Sequence, residues 1–149
     1  MTRSKRFQPL QEIVAQSATE LSRAVAEAEQ RVVELERQRE QLTKYRDEYA
    51  RQGVASGLSV DAVKLQNYRS FLDRLGEALK QNEKTLQAAR AEHERRRAQW
   101  REKRVEAESL SRVVERYRSE ERRAEERREQ REGDETGQRL SARTAGRAP

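Results

Sequence analysis

Residues 42–79 read LTKYRDEYARQGVASGLSVDAVKLQNYRSFLDRLGEAL, and this stretch decides the fold of the 149-residue chain. Two segments in which aromatic and aliphatic residues recur at helical spacing flank a short break at 52–59, which contains Gly53 and Gly57. Glycine is favoured just past a helix C-terminus and in turns, and Ser59 is a suitable N-cap for a second helix. The stretch therefore predicts the bend of a helical hairpin.

The composition is that of a chain without an ordinary globular core. Charged residues make up 40% of the sequence and hydrophobic residues 33%, and the mean hydropathy is -1.26. Leu, Ile, Val and Phe together account for 25 of the 149 residues, a content that is typical of disordered chains. A two-helix coiled coil needs only two apolar positions in seven, so disorder and coiled coil are the alternatives that periodicity must separate.

Periodicity favours the coiled coil. Seam positions follow alternating steps of three and four from Leu10 to Tyr49, and again from Leu65 to Ala124, and most of them are apolar. The first seam is imperfect, since Ser17, Arg31 and Gln38 are polar. We therefore predict an all-α fold, a long antiparallel two-helix coiled coil. The first helix spans about 7–51 and the second about 60–132, with a frayed N-terminus at 1–6 and a disordered C-terminal tail at 133–149. Pro9 is expected in the first turn, where proline is tolerated.

The predicted pairing leaves part of the second helix uncovered. A turn centred at residue 55 places Leu42 level with Tyr68 and Leu35 level with Leu75. The second helix then continues beyond Lys103 with no partner in the chain, although apolar residues still recur along it. The sequence thus predicts an overhanging helix whose apolar stripe binds a partner.

The charge pattern does not indicate a nucleic-acid surface or an enzyme. Lys and Arg number 33 against 27 Asp and Glu, a net charge of +6, but the two signs are interleaved as on a solvated helix face. The chain has no cysteine, and His93, its only histidine, falls on the apolar seam of the second helix. We expect no catalytic residues, metal, cofactor or small-molecule substrate, and we expect a cytoplasmic protein, since no apolar stretch of signal or membrane-span length is present.

Apolar side chains are more numerous near the bend than two helices need to cover each other. Phe71 and Ala78 form a second stripe beside the seam of the second helix, and the first helix offers Tyr45 and Tyr49 at the matching level. Contiguous exposed apolar surface with aromatic anchors is typical of a binding site. A wider seam or a contact between two copies of the chain are the alternatives.

Several segments in order carry a family resemblance: YRDEY at 45–49, NYRSFLDRLGEAL at 67–79, Trp100 followed by basic residues, and ERYRSEE at 115–121. With these segments and the glycine-containing break between the first two, the chain resembles the FliJ family, the small coiled-coil component of the bacterial flagellar type III export apparatus. The resemblance covers nearly the whole chain.

The resemblance implies a non-catalytic stalk and adaptor, similar to the coiled-coil shaft subunit of F-type ATPases. It implies that the end bearing the chain termini enters the pore of the hexameric export ATPase FliI. It further implies binding to the export-gate protein FlhA, cycling of flagellar export chaperones, and a place on the cytoplasmic face of the inner membrane at the flagellar base. The equivalent stalk of a virulence type III secretion system and a generic coiled-coil scaffold are the alternatives.

Two sets of site residues follow. The resemblance maps the gate-binding surface to Gln38, Leu42, Tyr45, Tyr49, Phe71, Leu75, Ala78 and Asn82. Asn82 departs from the family pattern, in which histidine can occupy the position. Contact with the export ATPase is expected from the uncovered stripe, at Leu110, Val114, Tyr117 and Arg118.

Overall fold

A computed structural model describes residues 1–55 and 62–146 of the chain. Helix α1 spans Arg3–Ala55 and helix α2 spans Ala62–Ala145, and the two pack against each other. Contacts between residues far apart in sequence run antiparallel, because α1 residues of rising number meet α2 residues of falling number. The predicted all-α helical hairpin is confirmed. The predicted turn residues Gly57 and Ser59 lie outside the described residues.

Both helices extend further than the sequence indicates. α1 begins at Arg3 rather than near residue 7, and the carbonyl of Thr2 accepts the first helical hydrogen bond from Arg6 N at 3.2 Å. Pro9 therefore lies inside α1 and not in its first turn. The prediction of a frayed segment at 1–6 is wrong because tertiary contacts with α2, which composition does not reveal, hold these residues in the helix.

Residues Thr19–Glu102 form one compact unit. Its buried centre contains Leu35 of α1 together with Asn82 and Leu86 of α2. Two ion pairs bridge the helices beside this centre, Arg39 with Glu83 and Arg90 with Glu36, each at 3.2 Å. Such partly exposed pairs contribute about 0–1 kcal/mol each, so apolar packing is the main source of cohesion.

The pairing in this unit differs from the predicted register. Asn82 contacts the carbonyl of Leu35, and Tyr68 contacts the carbonyls of Tyr49 and Ala50. The predicted register places Leu75 level with Leu35 and Tyr68 level with Leu42, which differs from the observed pairing by about one heptad. The predicted register is wrong because an apolar pattern that repeats every seven residues is equally satisfied after a slide of seven.

A second compact unit combines the start of α1, Met1–Ala18, with α2 from Lys103 onward. Val14 and Val114 are its buried apolar residues, and Phe7 stacks on Tyr117 with ring centroids 5.5 Å apart. The segment of α2 that follows Lys103 is therefore covered by α1. The prediction that it has no partner is wrong, and the error follows from the register.

The final part of α2 makes no such contacts. All residues from Arg122 to Gly146 are exposed, and α2 remains helical to Ala145. The sequence predicts a disordered tail from residue 133, whereas in the structure α2 continues past Gly133 and Gly137. A Glu125–Arg128 ion pair at 3.5 Å supports the helix locally.

Candidate functional site: an aromatic cluster and an exposed helix end

Three aromatic rings from the two helices meet within the Thr19–Glu102 unit. Tyr49 of α1 stacks on Tyr68 of α2, with centroids 4.9 Å apart and an interplanar angle of 20°. The Tyr49 ring also lies 4.5 Å from that of Phe71, tilted by 56°. Tyr68 and Phe71 are three residues apart on α2, so they share one face of that helix. We call Tyr49, Tyr68 and Phe71 the aromatic cluster.

The hydroxyl of Tyr68 reaches the backbone of α1. It lies 3.3 Å from the carbonyl oxygen of Tyr49 and 3.2 Å from that of Ala50, to which it donates. Its ring occupies the space beside Gly53, which is buried and helical, and a Cβ at that position would overlap the ring. Gly53 therefore permits a close approach between helices, whereas the sequence assigned it to a turn.

One member of the aromatic cluster, Phe71, and Tyr45, one turn before Tyr49 on α1, are exposed. Tyr45 is 64% exposed and Phe71 is 38% exposed, both high values for large aromatic side chains. A shallow recess of about 260 Å³ lies on α1 and is lined by Gln38, Gln41, Leu42 and Tyr45. The predicted surface residues Gln38, Tyr45 and Phe71 are thus accessible, and the structure places Leu42 and Tyr49 half-buried beside them.

The remaining predicted gate-binding residues are less accessible. Leu75 and Ala78 are half-buried, and Asn82 is only 7% exposed. The Nδ2 atom of Asn82 donates to the Leu35 carbonyl at 3.2 Å. The amide of Asn82 is therefore enclosed between the helices and is not exposed on the predicted surface, and its part in gate binding stays a prediction.

The four residues expected to contact the ATPase do not form an uncovered stripe. Val114 is 1% exposed and Leu110 is half-buried. Tyr117 stacks on Phe7, and the guanidinium of Arg3 stands 5.7 Å from its ring centroid. Arg118 alone of the four is exposed. The start of α1 covers this face of α2. Among the described residues of α2, those from Arg122 to Gly146 are exposed on every side of the helix.

A carboxylate holds the start of α1 in place. Glu121 accepts a hydrogen bond from Ser4 N through Oε1 at 3.0 Å and from Ser4 Oγ through Oε2 at 2.6 Å. Backbone N–H groups in the first turn have no partner within the helix, so Glu121 satisfies one of them from the other helix. The two bonds from Ser4 lower the pKa of Glu121, and the nearby Arg118 and Lys5 act in the same direction.

Sequence reasoning missed this contact. Ser4 falls within the segment 1–6 that the sequence predicts to be frayed, and nothing in the sequence pairs it with Glu121. The sequence does carry a signal, since Thr2 and Ser4 are residues that favour helix N-termini and Phe7 is a large apolar residue in the same turns. That signal becomes useful only when the partner of α1 is known.

Charged groups elsewhere belong to the surface of the helices. A side-chain hydrogen bond from Gln87 and the pairing with Arg39 lower the pKa of Glu83. Within residues 1–55 and 62–146, no group of three His, Cys, Asp or Glu side chains could hold a metal ion. The predicted absence of a catalytic site remains an expectation from the sequence.

A family model described as "Flagellar FliJ protein" matches residues 3–146 of the chain. The chain belongs to the FliJ family. It is thus a flagellar export-associated stalk protein with a coiled-coil helical fold. Searches of curated proteins and of solved structures gave no match. In the part of the chain that the structure describes, no helix is both long and apolar enough to span a bilayer.

Proposed function

We propose that this FliJ-family chain links two components of the flagellar export apparatus through two separate surfaces. One surface consists of the aromatic cluster with its exposed neighbours and binds the cytoplasmic part of the export-gate protein FlhA. The other is the end of α2 beyond Glu121, which enters the ring of the export ATPase FliI. The protein also cycles empty export chaperones, and these partners hold it peripherally at the cytoplasmic face of the inner membrane.

The observation that supports gate binding most is the exposure of Tyr45 and Phe71 beside a packed aromatic pair. Tyr49 and Tyr68 are fixed by stacking and by the Tyr68 hydroxyl, so the exposed Phe71 ring packs against a rigid pair. A rigid aromatic surface binds a partner with little loss of conformational entropy. The recess lined by Gln38 and Leu42 offers an adjacent depression for an apolar partner side chain.

Binding to the ATPase is proposed for the exposed end of α2 because its side chains are not engaged with α1. Every residue from Arg122 to Gly146 is exposed, and acidic and basic residues are interleaved along it as far as Glu135. A helix with mixed charge can lie within a ring of subunits without one fixed pose, as a shaft requires. The flagellar assignment is preferred to a virulence secretion stalk because the matching family is the flagellar one.

Gate binding can be tested with matched single substitutions. Tyr45→Ala removes a ring that is 64% exposed, whereas Val63→Ala alters a side chain that is 66% exposed outside the aromatic cluster. We expect Tyr45→Ala to weaken binding to the isolated cytoplasmic part of FlhA by about tenfold or more in calorimetry, and Val63→Ala to leave it unchanged. Equal affinities for the two variants and the parent would contradict the proposed surface.

The ATPase surface requires a truncation that leaves the packed part intact. Removal of residues 125–149 deletes only exposed helix and the three residues beyond Gly146, whereas a cut after Lys103 removes the partner of Phe7 and Ser4. The shorter deletion should preserve gate binding and abolish stimulation of hydrolysis by FliI. Full stimulation by the truncated protein would refute this part of the proposal.

A further inference from the structure

One feature of α1 requires an explanation that helix propensity does not give. Gly53 is the only glycine in α1, and it is buried within this helix, two residues before its last residue, Ala55. Glycine inside a helix is unfavourable relative to alanine, and here it does not form the turn that the sequence predicted. Its place is instead matched to one side chain of α2, since the Tyr68 ring fills the volume that a Cβ would take.

The apolar pattern permits two pairings of the same helices. In the observed one, Tyr68 lies over Gly53 and Asn82 contacts Leu35. In the pairing displaced by one heptad, Leu35 lies level with Leu75, and the break falls at 52–59 as the sequence predicted. Seam residues face seam residues in both, because the repeat is seven residues long.

The two pairings differ in what Tyr68 meets. A slide of one heptad would bring its ring against α1 residues that all carry a Cβ, since α1 has no other glycine. The hydroxyl would also leave the carbonyls of Tyr49 and Ala50. Conversely, a residue with a Cβ at position 53 would collide with the ring in the observed pairing only.

We propose that the Tyr68–Gly53 contact selects the register of the hairpin, because the helices approach closely enough for this ring only where α1 presents glycine. The contact acts as a positioning device and not as a binding site. The register in turn determines which rings form the aromatic cluster, because Tyr49 meets Phe71 at 4.5 Å only in the observed register. The register is independent of which partner the cluster binds.

The buried amide of Asn82 is consistent with a register that is chosen for specificity and not for maximal apolar contact. Its Nδ2 donates to Leu35, but Oδ1 is buried and has no hydrogen-bond partner among the described residues. A buried polar group that is incompletely satisfied lowers stability, and in coiled coils such residues are known to fix register. Asn82 thus adds to a selection that Tyr68 and Gly53 make sterically.

Distance measurement between spin labels tests the proposal. The chain has no cysteine, so Arg31→Cys and Arg69→Cys introduce labels at two exposed positions, one on each helix. A slide of one heptad displaces α2 along α1 by about 10 Å, at about 1.5 Å per residue. We expect Gly53→Ala to move a substantial part of the label–label distance distribution by about that amount, and the control Gly76→Ala to leave it unchanged.

A second variant distinguishes a change of register from a general loss of folded structure. Tyr68→Leu combined with Gly53→Ala removes the ring that would collide, and the contact of Asn82 with Leu35 still favours the observed register, so the doubly substituted chain should return to the distance of the parent. A distribution for Gly53→Ala that matches the parent would overturn the proposal, because the ring would then have moved aside within the same register. If Gly53→Ala loses its helical circular dichroism, the double variant decides: the parent distance supports the proposal, and any other result overturns it.

Discussion

Val114→Ala tests whether the segment of α2 beyond Lys103 is packed or free. Val114 is 1% exposed, so the substitution removes buried methyl groups from the contact with the start of α1. Each buried CH₂ contributes about 0.8 kcal/mol, and the residual cavity adds to the loss. We therefore expect a destabilisation of about 2 kcal/mol for the Met1–Ala18 and Lys103–Gly146 unit.

Val105→Ala is the matched control, since it makes the same chemical change in the same unit at a side chain that is 62% exposed. An exposed substitution of this kind changes stability by less than about 0.5 kcal/mol. In thermal unfolding followed by circular dichroism, Val114→Ala should lower the midpoint by about 4–8 °C, because about 2–4 °C per kcal/mol is usual at this chain length.

Hydrogen exchange locates the effect. Amides of residues 10–18 should exchange faster in Val114→Ala than in the parent, because loss of the contact lowers the free energy of local opening. Amides near Leu35, in the other unit, should keep their protection. If Val114→Ala and Val105→Ala behave alike in both measurements, α1 does not cover the face of α2 that contains Val114. The overhang without a partner, which the sequence predicts, would then be the correct description.

Two further predictions concern Gly76 and Glu121. Gly76→Ala should stabilise the protein by about 1 kcal/mol in denaturant unfolding, because an added Cβ meets no described atom within 4 Å and alanine has the higher helix propensity; destabilisation would show an undetected close contact. The contact with Ser4 lowers the pKa of Glu121, so it stabilises the start of α1 above the ordinary carboxyl value of 4.5 and is lost as pH falls through the lowered value. Glu121→Gln should accelerate exchange in the first turns of α1 at neutral pH and abolish this acid-dependent step, and an unchanged pH profile would exclude the cap.

Much of the fold could be predicted because it depends on local pattern. The alternating three- and four-residue steps from Leu10 to Tyr49 are a property of consecutive residues, and they predicted two packed helices correctly. The presence of aromatic residues on both helices close to the break also followed from the sequence, whereas the contact of Tyr49 with Phe71 depends on the register. Helix ends were less predictable, because Ser4 and Phe7 are held in α1 by contacts with residues more than a hundred positions away.

The sequence by itself determined the helical hairpin, the absence of a globular core, the family and the aromatic residues near the bend. Only the tertiary structure decided which α2 residues face which α1 residues, and hence that Asn82 and Val114 are buried and that the free helix begins beyond Glu121. The physical reason is that a heptad pattern is unchanged by a slide of seven residues. The contact between Tyr68 and Gly53 and the enclosed amide of Asn82 distinguish the two pairings, and both exist only once the helices have met.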